Sequence, residues 1–99
     1  MNTAIHLRMK DDEITAAGLS AGGVGPVPTY LFKCSAFLVG KRISTKLIAA
    51  LIEIAQSEIK PISDARGTEA YKRLLLSQLI KAHFIKLFPA LPPEQVMFV

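Results

Sequence analysis

The sequence predicts an α+β fold, with a three-stranded antiparallel sheet in the N-terminal half packed against helices in the C-terminal half. Three observations carry this. Residues 5 to 10 alternate, with Ile5, Leu7 and Met9 on one side and His6, Arg8 and Lys10 on the other, the period of a half-buried strand. Beyond residue 44 the apolar spacing changes to threes and fours, the period of a helix with a buried stripe. Strands precede helices rather than alternating with them, which separates α+β from α/β. The 99 residues suit a single domain over 1–99, with a core from about 4 to 88 and an extended C-terminal tail over 89–99.

In order, Asp11-Asp12-Glu13 is a polar turn, and Ile14 to Ala21 is the returning strand of a hairpin. The run Gly22-Gly23-Val24-Gly25-Pro26-Val27-Pro28 breaks regular structure, since glycine admits positive φ and proline stiffens the exit. Thr29 to Lys33 is a third, short strand, and the proline at its start suits an edge. Ser35 to Val39 is a short helix stopped by Gly40. Ser44 is the N-cap of a longer helix over Thr45 to Ile59. Its stripe is Leu47, Ile48, Leu51, Ile52, Ala55 and Ile59, with Lys46, Glu53 and Gln56 turned away and Pro61 ending it. After a loop over 61–67, Thr68 caps the last helix, which carries Glu69 in its first turn and runs to about Phe88.

That helix is apolar almost all the way round, from Tyr71, Leu74, Leu75 and Leu76 to Ile85, Leu87 and Phe88. Arg73, Ser77 and Lys81 make only a narrow polar strip. Such a helix must be surrounded, because each large side chain left in water forfeits about 1.5–3 kcal/mol of burial. It is either a central core helix or one with a face in the domain and another against a neighbouring subunit. One small sheet and one other long helix cannot cover every side, which favours the second.

Composition sets outer bounds. At 51% hydrophobic and 20% charged the chain is not disordered. The net charge of +4 comes without aromatic or base-reading groups among Lys41, Arg42, Lys46, Lys72, Arg73, Lys81 and Lys86. This reads as a mildly basic solvated surface and not a nucleic-acid site. A single cysteine, Cys34, makes no internal disulfide and cannot alone hold an iron–sulfur cluster or zinc. It fits a cytoplasmic compartment. The N-terminus has no apolar signal core, and no uncharged run approaches a membrane span.

Two stretches resemble a known family. The first is Ala21-Gly22-Gly23-Val24-Gly25-Pro26-Val27-Pro28 with Phe37-Leu38-Val39-Gly40-Lys41. The second, more specific, is Pro61-Ile62-Ser63-Asp64-Ala65-Arg66-Gly67-Thr68-Glu69-Ala70-Tyr71-Lys72-Arg73. Together they resemble the C-terminal domain of the FAD-binding subunit of molybdenum hydroxylases, the xanthine dehydrogenase and carbon monoxide dehydrogenase flavoproteins. The likeness runs from about Ile5 to Phe88. Leu75-Leu76-Ser77-Gln78-Leu79, Ala82-His83-Phe84 and Phe88-Pro89 look closest to bacterial xanthine dehydrogenase small subunits.

For the parent enzyme the resemblance implies hydroxylation at a molybdopterin centre, two 2Fe–2S clusters and FAD. None of these cofactors is expected in this chain, because the family's glycine-rich flavin domain lies upstream of the matching region. The expected role is therefore structural, within an oxidoreductase but not catalytic in isolation. The partners implied are the FAD-binding domain and the molybdopterin and iron–sulfur subunits, with no nucleic acid and no membrane. Met1 falls at the family's domain junction, so the chain looks like an excised domain, a truncated product or one piece of a split subunit. A homodimeric module without redox function, paired through the last helix, is the rival expectation.

No catalytic or metal residue is nominated. Asp64, Arg66, Tyr71 and Arg73 are the interface candidates. Each also has a structural reading: Asp64 as a loop cap with Arg66 paired to it, Tyr71 as a core-edge residue and Arg73 as an outward ion-pair group. The Gly22–Gly25 turn is a poor phosphate cradle, since Pro26 and Pro28 remove N–H donors where they are needed. His6 and His83 read as surface or packing residues, Cys34 as a buried small hydrophobe, and Ser35 and Ser44 as caps.

Overall fold

In the computed structural model, which describes residues 2–23, 28–59 and 67–89, β1 (Asn2–Lys10) and β2 (Glu13–Gly22) form an antiparallel hairpin. The turn is only two residues, Asp11 and Asp12, both left-handed at φ 52° and 67°. Two successive positive φ values match the right-handed twist of paired strands, and short aspartates tolerate them. Glu13 thus belongs to the strand and not to the turn. Ile5 faces Leu19 and Leu7 faces Ala17, and a bulge shifts the register between Arg8 and Met9.

β3 (Thr29–Tyr30) pairs with Ser20 and Ala21, which gives a sheet of order β1-β2-β3. It is shorter than the five residues the sequence suggested. Leu31 is buried and α1 (Phe32–Leu38) begins directly after it. Helix therefore claims Lys33, and α1 starts three residues before the predicted Ser35. Farther along β2, Gly40 donates to the Ile14 carbonyl at 2.7 Å and Ile14 donates to that of Lys41 at 2.9 Å. β3 and this segment thereby line the side of β2 away from β1. Gly40 stops α1 as expected, at φ 82°, a conformation costly for any residue with a Cβ.

α2 (Thr45–Glu58) and α3 (Glu69–Leu87) end one residue short of their predicted limits. Their caps are the predicted ones: Ser44 Oγ accepts from the Leu47 N–H at 3.1 Å and Thr68 Oγ1 from that of Tyr71 at 3.1 Å. The core lies between the sheet and the helices and centres on Ile14, Leu19, Leu38, Leu51, Leu76 and Phe84. α3 also crosses β1, where Thr3 Oγ1 and His83 Nε2 hydrogen-bond at 2.6 Å. His83 is thus a packing residue, one of the two readings its sequence context allowed.

Two polar assignments require correction. Gln56, read as turned away from the core stripe, lies half-buried between α2 and α3. Lys72 and Lys81, read as part of a solvated basic surface, are 3% and 7% exposed. Both follow from α3 turning Lys72, Leu76, Ile80, Lys81 and Phe84 inward. It leaves Tyr71 and Leu74 at the surface instead.

Candidate functional site

The signature stretch opens α3, and the structure describes it from Gly67 onward; Asp64 and Arg66 lie outside the described residues. Gly67 has φ 147° and sits against the Tyr71 ring, which a Cβ there would meet at 3.1 Å. The pairing of this glycine with a tyrosine four residues later thus has a steric cause. Tyr71 itself is 52% exposed, so only one side of its ring is covered.

Arg73 lies one turn into α3 and joins two helices. Its Nε donates to Glu69 Oε1 at 3.1 Å, while Nη1 donates to the Gln56 carbonyl at 2.8 Å and to Gln56 Oε1 at 3.1 Å. Gln56 Nε2 returns the bond to the Arg73 carbonyl at 2.8 Å and to Ser77 Oγ at 2.9 Å. The narrow polar strip of α3 is therefore not a solvent face. Over Arg73 and Ser77 it is the polar seam between α2 and α3. A planar guanidinium bonded to a fixed carbonyl and amide sets the helix register in a way a lysine could not.

The opposite side of α3 is largely apolar and stays exposed among the described residues. Leu74 is 56% exposed. With Tyr71, Gln78 and Ala82 it lies along one stripe, flanked by half-buried Leu75 and Ile85. Leu74 was in the apolar list but not among the interface candidates, because which apolar side faces out depends on where Lys72 and Lys81 point.

The other functional readings resolve on geometry. Cys34 is fully buried, and its N–H donates at 2.7 Å to Glu58 Oε1 while that of Lys33 donates to Oε2 at 3.0 Å. Glu58, from the end of α2, thus caps α1, whose own N-cap Leu31 offers no side-chain acceptor. Burial, then the hydrogen bond and charge of Glu58, push the Cys34 thiol well above the usual thiol range. A thiol held protonated is neither nucleophile nor metal ligand. Ser35, read as a cap, is instead buried inside α1. Its Oγ donates to the Leu31 carbonyl at 2.8 Å and accepts from the Leu19 N–H at 3.0 Å, tying helix to sheet.

The cofactors the resemblance implies do not fit the described residues. No cluster of three or more His, Cys, Asp or Glu side chains converges among them, and a 2Fe–2S cluster needs four such ligands. A flavin diphosphate needs converging N–H donors, usually at a helix N-terminus. Here α1, α2 and α3 are capped by Glu58, Ser44 and Thr68. An open cleft of about 460 Å³ beside Gly22 and Gly23 is lined by Asn2, Ser20, Thr29 and Tyr30, with no cation in it.

A hairpin-led antiparallel sheet backed by three helices, with an arginine-locked seam between α2 and α3, defines a small α+β domain. The chain belongs to the CO dehydrogenase flavoprotein C-terminal domain family, whose model matches residues 1–87. It is 28% identical over 83 residues to the glyceraldehyde dehydrogenase medium chain of Sulfolobus acidocaldarius, which covers 84% of this chain and 30% of that one. Its fold is that of quinoline 2-oxidoreductase from Pseudomonas putida 86, with TM-score 0.76 and 24% identity over 96% of this chain and 32% of that one. Carbon monoxide dehydrogenase from Hydrogenophaga pseudoflava gives TM-score 0.75 and 22% identity over 81% and 28%. The chain thus spans about a third or less of the length of the proteins it resembles. The α+β expectation and the family resemblance both hold. Among the described residues no helix is long and apolar enough to cross a membrane.

Proposed function

We propose that this chain is the structural, interface-forming part of the flavoprotein component of a xanthine dehydrogenase-type molybdenum hydroxylase, working in the cytoplasm. The observation that carries the reading is the outer face of α3. The core closes without Tyr71 and Leu74, yet both stay about half exposed. Leaving them wet forfeits burial energy that a packed neighbour would recover. The neighbour we assign is the FAD-binding domain together with the molybdopterin and iron–sulfur subunits. Tyr71 supplies apolar contact, Asp64 and Arg66 are the polar residues we assign to the partners, and Arg73, on the α2 side of α3, reaches them only by the edge of its guanidinium left exposed. Chemistry stays with those partners: hydroxylation at molybdenum, then electron transfer through the clusters to FAD.

The test is the protein with and without its partners. Purified alone, the chain is expected to carry no flavin absorbance and no dehydrogenase activity. Tagged and purified from its native host, it is expected to bring with it proteins that contain FAD and molybdopterin. Near-stoichiometric flavin on the isolated chain would overturn the reading. So would a stable homodimer that excludes any flavin- or molybdenum-containing partner.

A further inference from the structure

β1 is the terminal strand of the order β1-β2-β3, and among the described residues no strand adjoins its outer edge. The strand itself is regular: the register shift beside Arg8 and Met9 leaves the extra residue, Thr15, in β2. A straight edge of nine residues presents a row of backbone donors and acceptors to any strand able to pair with it. Its half-buried Thr3, Ile5 and Leu7 face the helices, while Asn2, Ala4, His6 and Arg8 face solvent. A groove of about 410 Å³ touches Ile5, Leu7 and Met9 on one face of the strand and His6 on the other, with Leu87 and Phe88. A groove that reaches both faces of a strand opens at its free edge.

We propose that this edge pairs with the β1 edge of a second copy, antiparallel across a twofold axis at His6, to give one continuous sheet. Sidedness limits the registers, because facing residues must point to the same face and β1 alternates. With His6 on the axis the whole strand pairs: Asn2 with Lys10, Thr3 with Met9, Ala4 with Arg8 and Ile5 with Leu7. On the helix face each groove then receives Thr3, Ile5 and Leu7 of the second copy, an apolar complement supplied twice by symmetry. On the solvent face Lys10 meets an amide and Arg8 meets a methyl group. His6 meets its own copy, but its ring leans over Gly18 of β2, away from the axis.

Charge and length together select this occupant and this register. Shifting the axis to Leu7 sets His6 against Arg8, and shifting it to Ile5 leaves Met9 and Lys10 outside the ladder. A parallel copy in register would bring Arg8 beside Arg8 and Lys10 beside Lys10, and like charges on adjacent strands repel. The strand thus fits an antiparallel copy of itself with its lysine and arginine each facing a neutral residue. Neither the edge nor the groove includes Tyr71 or Leu74. The pairing therefore goes beyond the assembly role proposed above and does not rest on it, and its failure would leave capture of flavin-containing partners unaffected.

Three measurements on the full chain decide it. Light scattering is expected to show a dimer that dissociates on dilution. Facing residues on paired strands have Cα atoms about 4.5–5.5 Å apart, within disulfide range, whereas four residues out of register adds about 13 Å along the strand. H6C is therefore expected to oxidise to a disulfide-linked dimer while A4C stays reduced under the same conditions, with buried Cys34 not competing. A4K sets an ammonium against Arg8 and A4E a carboxylate, each twice per dimer, so the A4K dimer should dissociate with a Kd about tenfold or more above that of A4E. Ala4 is exposed, so these two variants keep the fold, and they decide the matter if H6C unsettles it. Equal oxidation of H6C and A4C, or equal Kd for A4K and A4E, overturns the proposal. So does a chain that stays monomeric while a flavin-containing partner protects its β1 amides from hydrogen exchange, which would give the edge to that partner instead.

Discussion

At the residue scale, the side chains that matter most are polar groups that hold elements together. Glu58 caps α1 from a different helix. Replacing it by alanine orphans two N–H groups, and the E58A midpoint in urea should fall by the equivalent of about 1–2 kcal/mol. Q56A strips Arg73 of its side-chain acceptor on α2 and should cost about 1–3 kcal/mol by the same measurement. Cys34 gives a pH signature. Its folded thiol titrates above the unfolded one, so above about pH 8.5 the unfolded chain releases a proton that the folded chain keeps. Stability contributed by Cys34 is thus flat below that pH and falls as pH rises. The stability difference between wild type and C34A should shrink by up to about 1.4 kcal/mol per pH unit there, and a pH-independent difference would show that the buried thiol ionises normally. Burial of Cys34 was legible from sequence, but the pairings of Glu58 and Gln56 were not. Glu58 is 24 residues from Cys34 and Gln56 is 17 from Arg73, and no local periodicity encodes either pairing.

At the element scale the sequence was far more informative, because elements are specified by neighbours in the chain. The alternation of Ile5, Leu7 and Met9 placed β1, and the Ser44 and Thr68 caps placed the starts of α2 and α3 to the residue. Where reading failed, a tertiary contact had won. Thr29 to Lys33 has strand-like composition, yet the Glu58 carboxylate waiting at Lys33 and Cys34 turns its second half into helix. On α3 the hydrophobic pattern gave the excess of apolar surface but not its direction, which was set by lysines turned inward at 72 and 81. A cap is worth about 1 kcal/mol, and S44A should lose roughly that from the melting free energy. S44D should retain most of it, since aspartate accepts the same Leu47 N–H. Equal losses in the two variants would mean that Ser44 acts through packing instead.

At the scale of the whole molecule, completeness of the core and incompleteness of the surface have to be explained together. Six buried side chains, Ile14, Leu19, Leu38, Leu51, Leu76 and Phe84, knit the sheet to all three helices, so the fold does not need the outer face of α3 for its own cohesion. That separation makes L74E informative. Leu74 is 56% exposed, and a charge there should change the stability of the isolated chain by no more than about 0.5 kcal/mol. In an assembly that covers this face, the same glutamate would be buried without a partner, a cost large enough to lower affinity by about a hundredfold or more. The expected result is an unchanged thermal midpoint for L74E alone, with loss of co-purifying FAD- and molybdopterin-containing protein. Undiminished co-purification would show that the assembly contact lies elsewhere. A large drop in the midpoint would instead place Leu74 in the domain's own packing. L74M, which keeps the apolar contact at similar volume, should restore capture, and that rescue ties the loss to burial of this face and not to its shape alone.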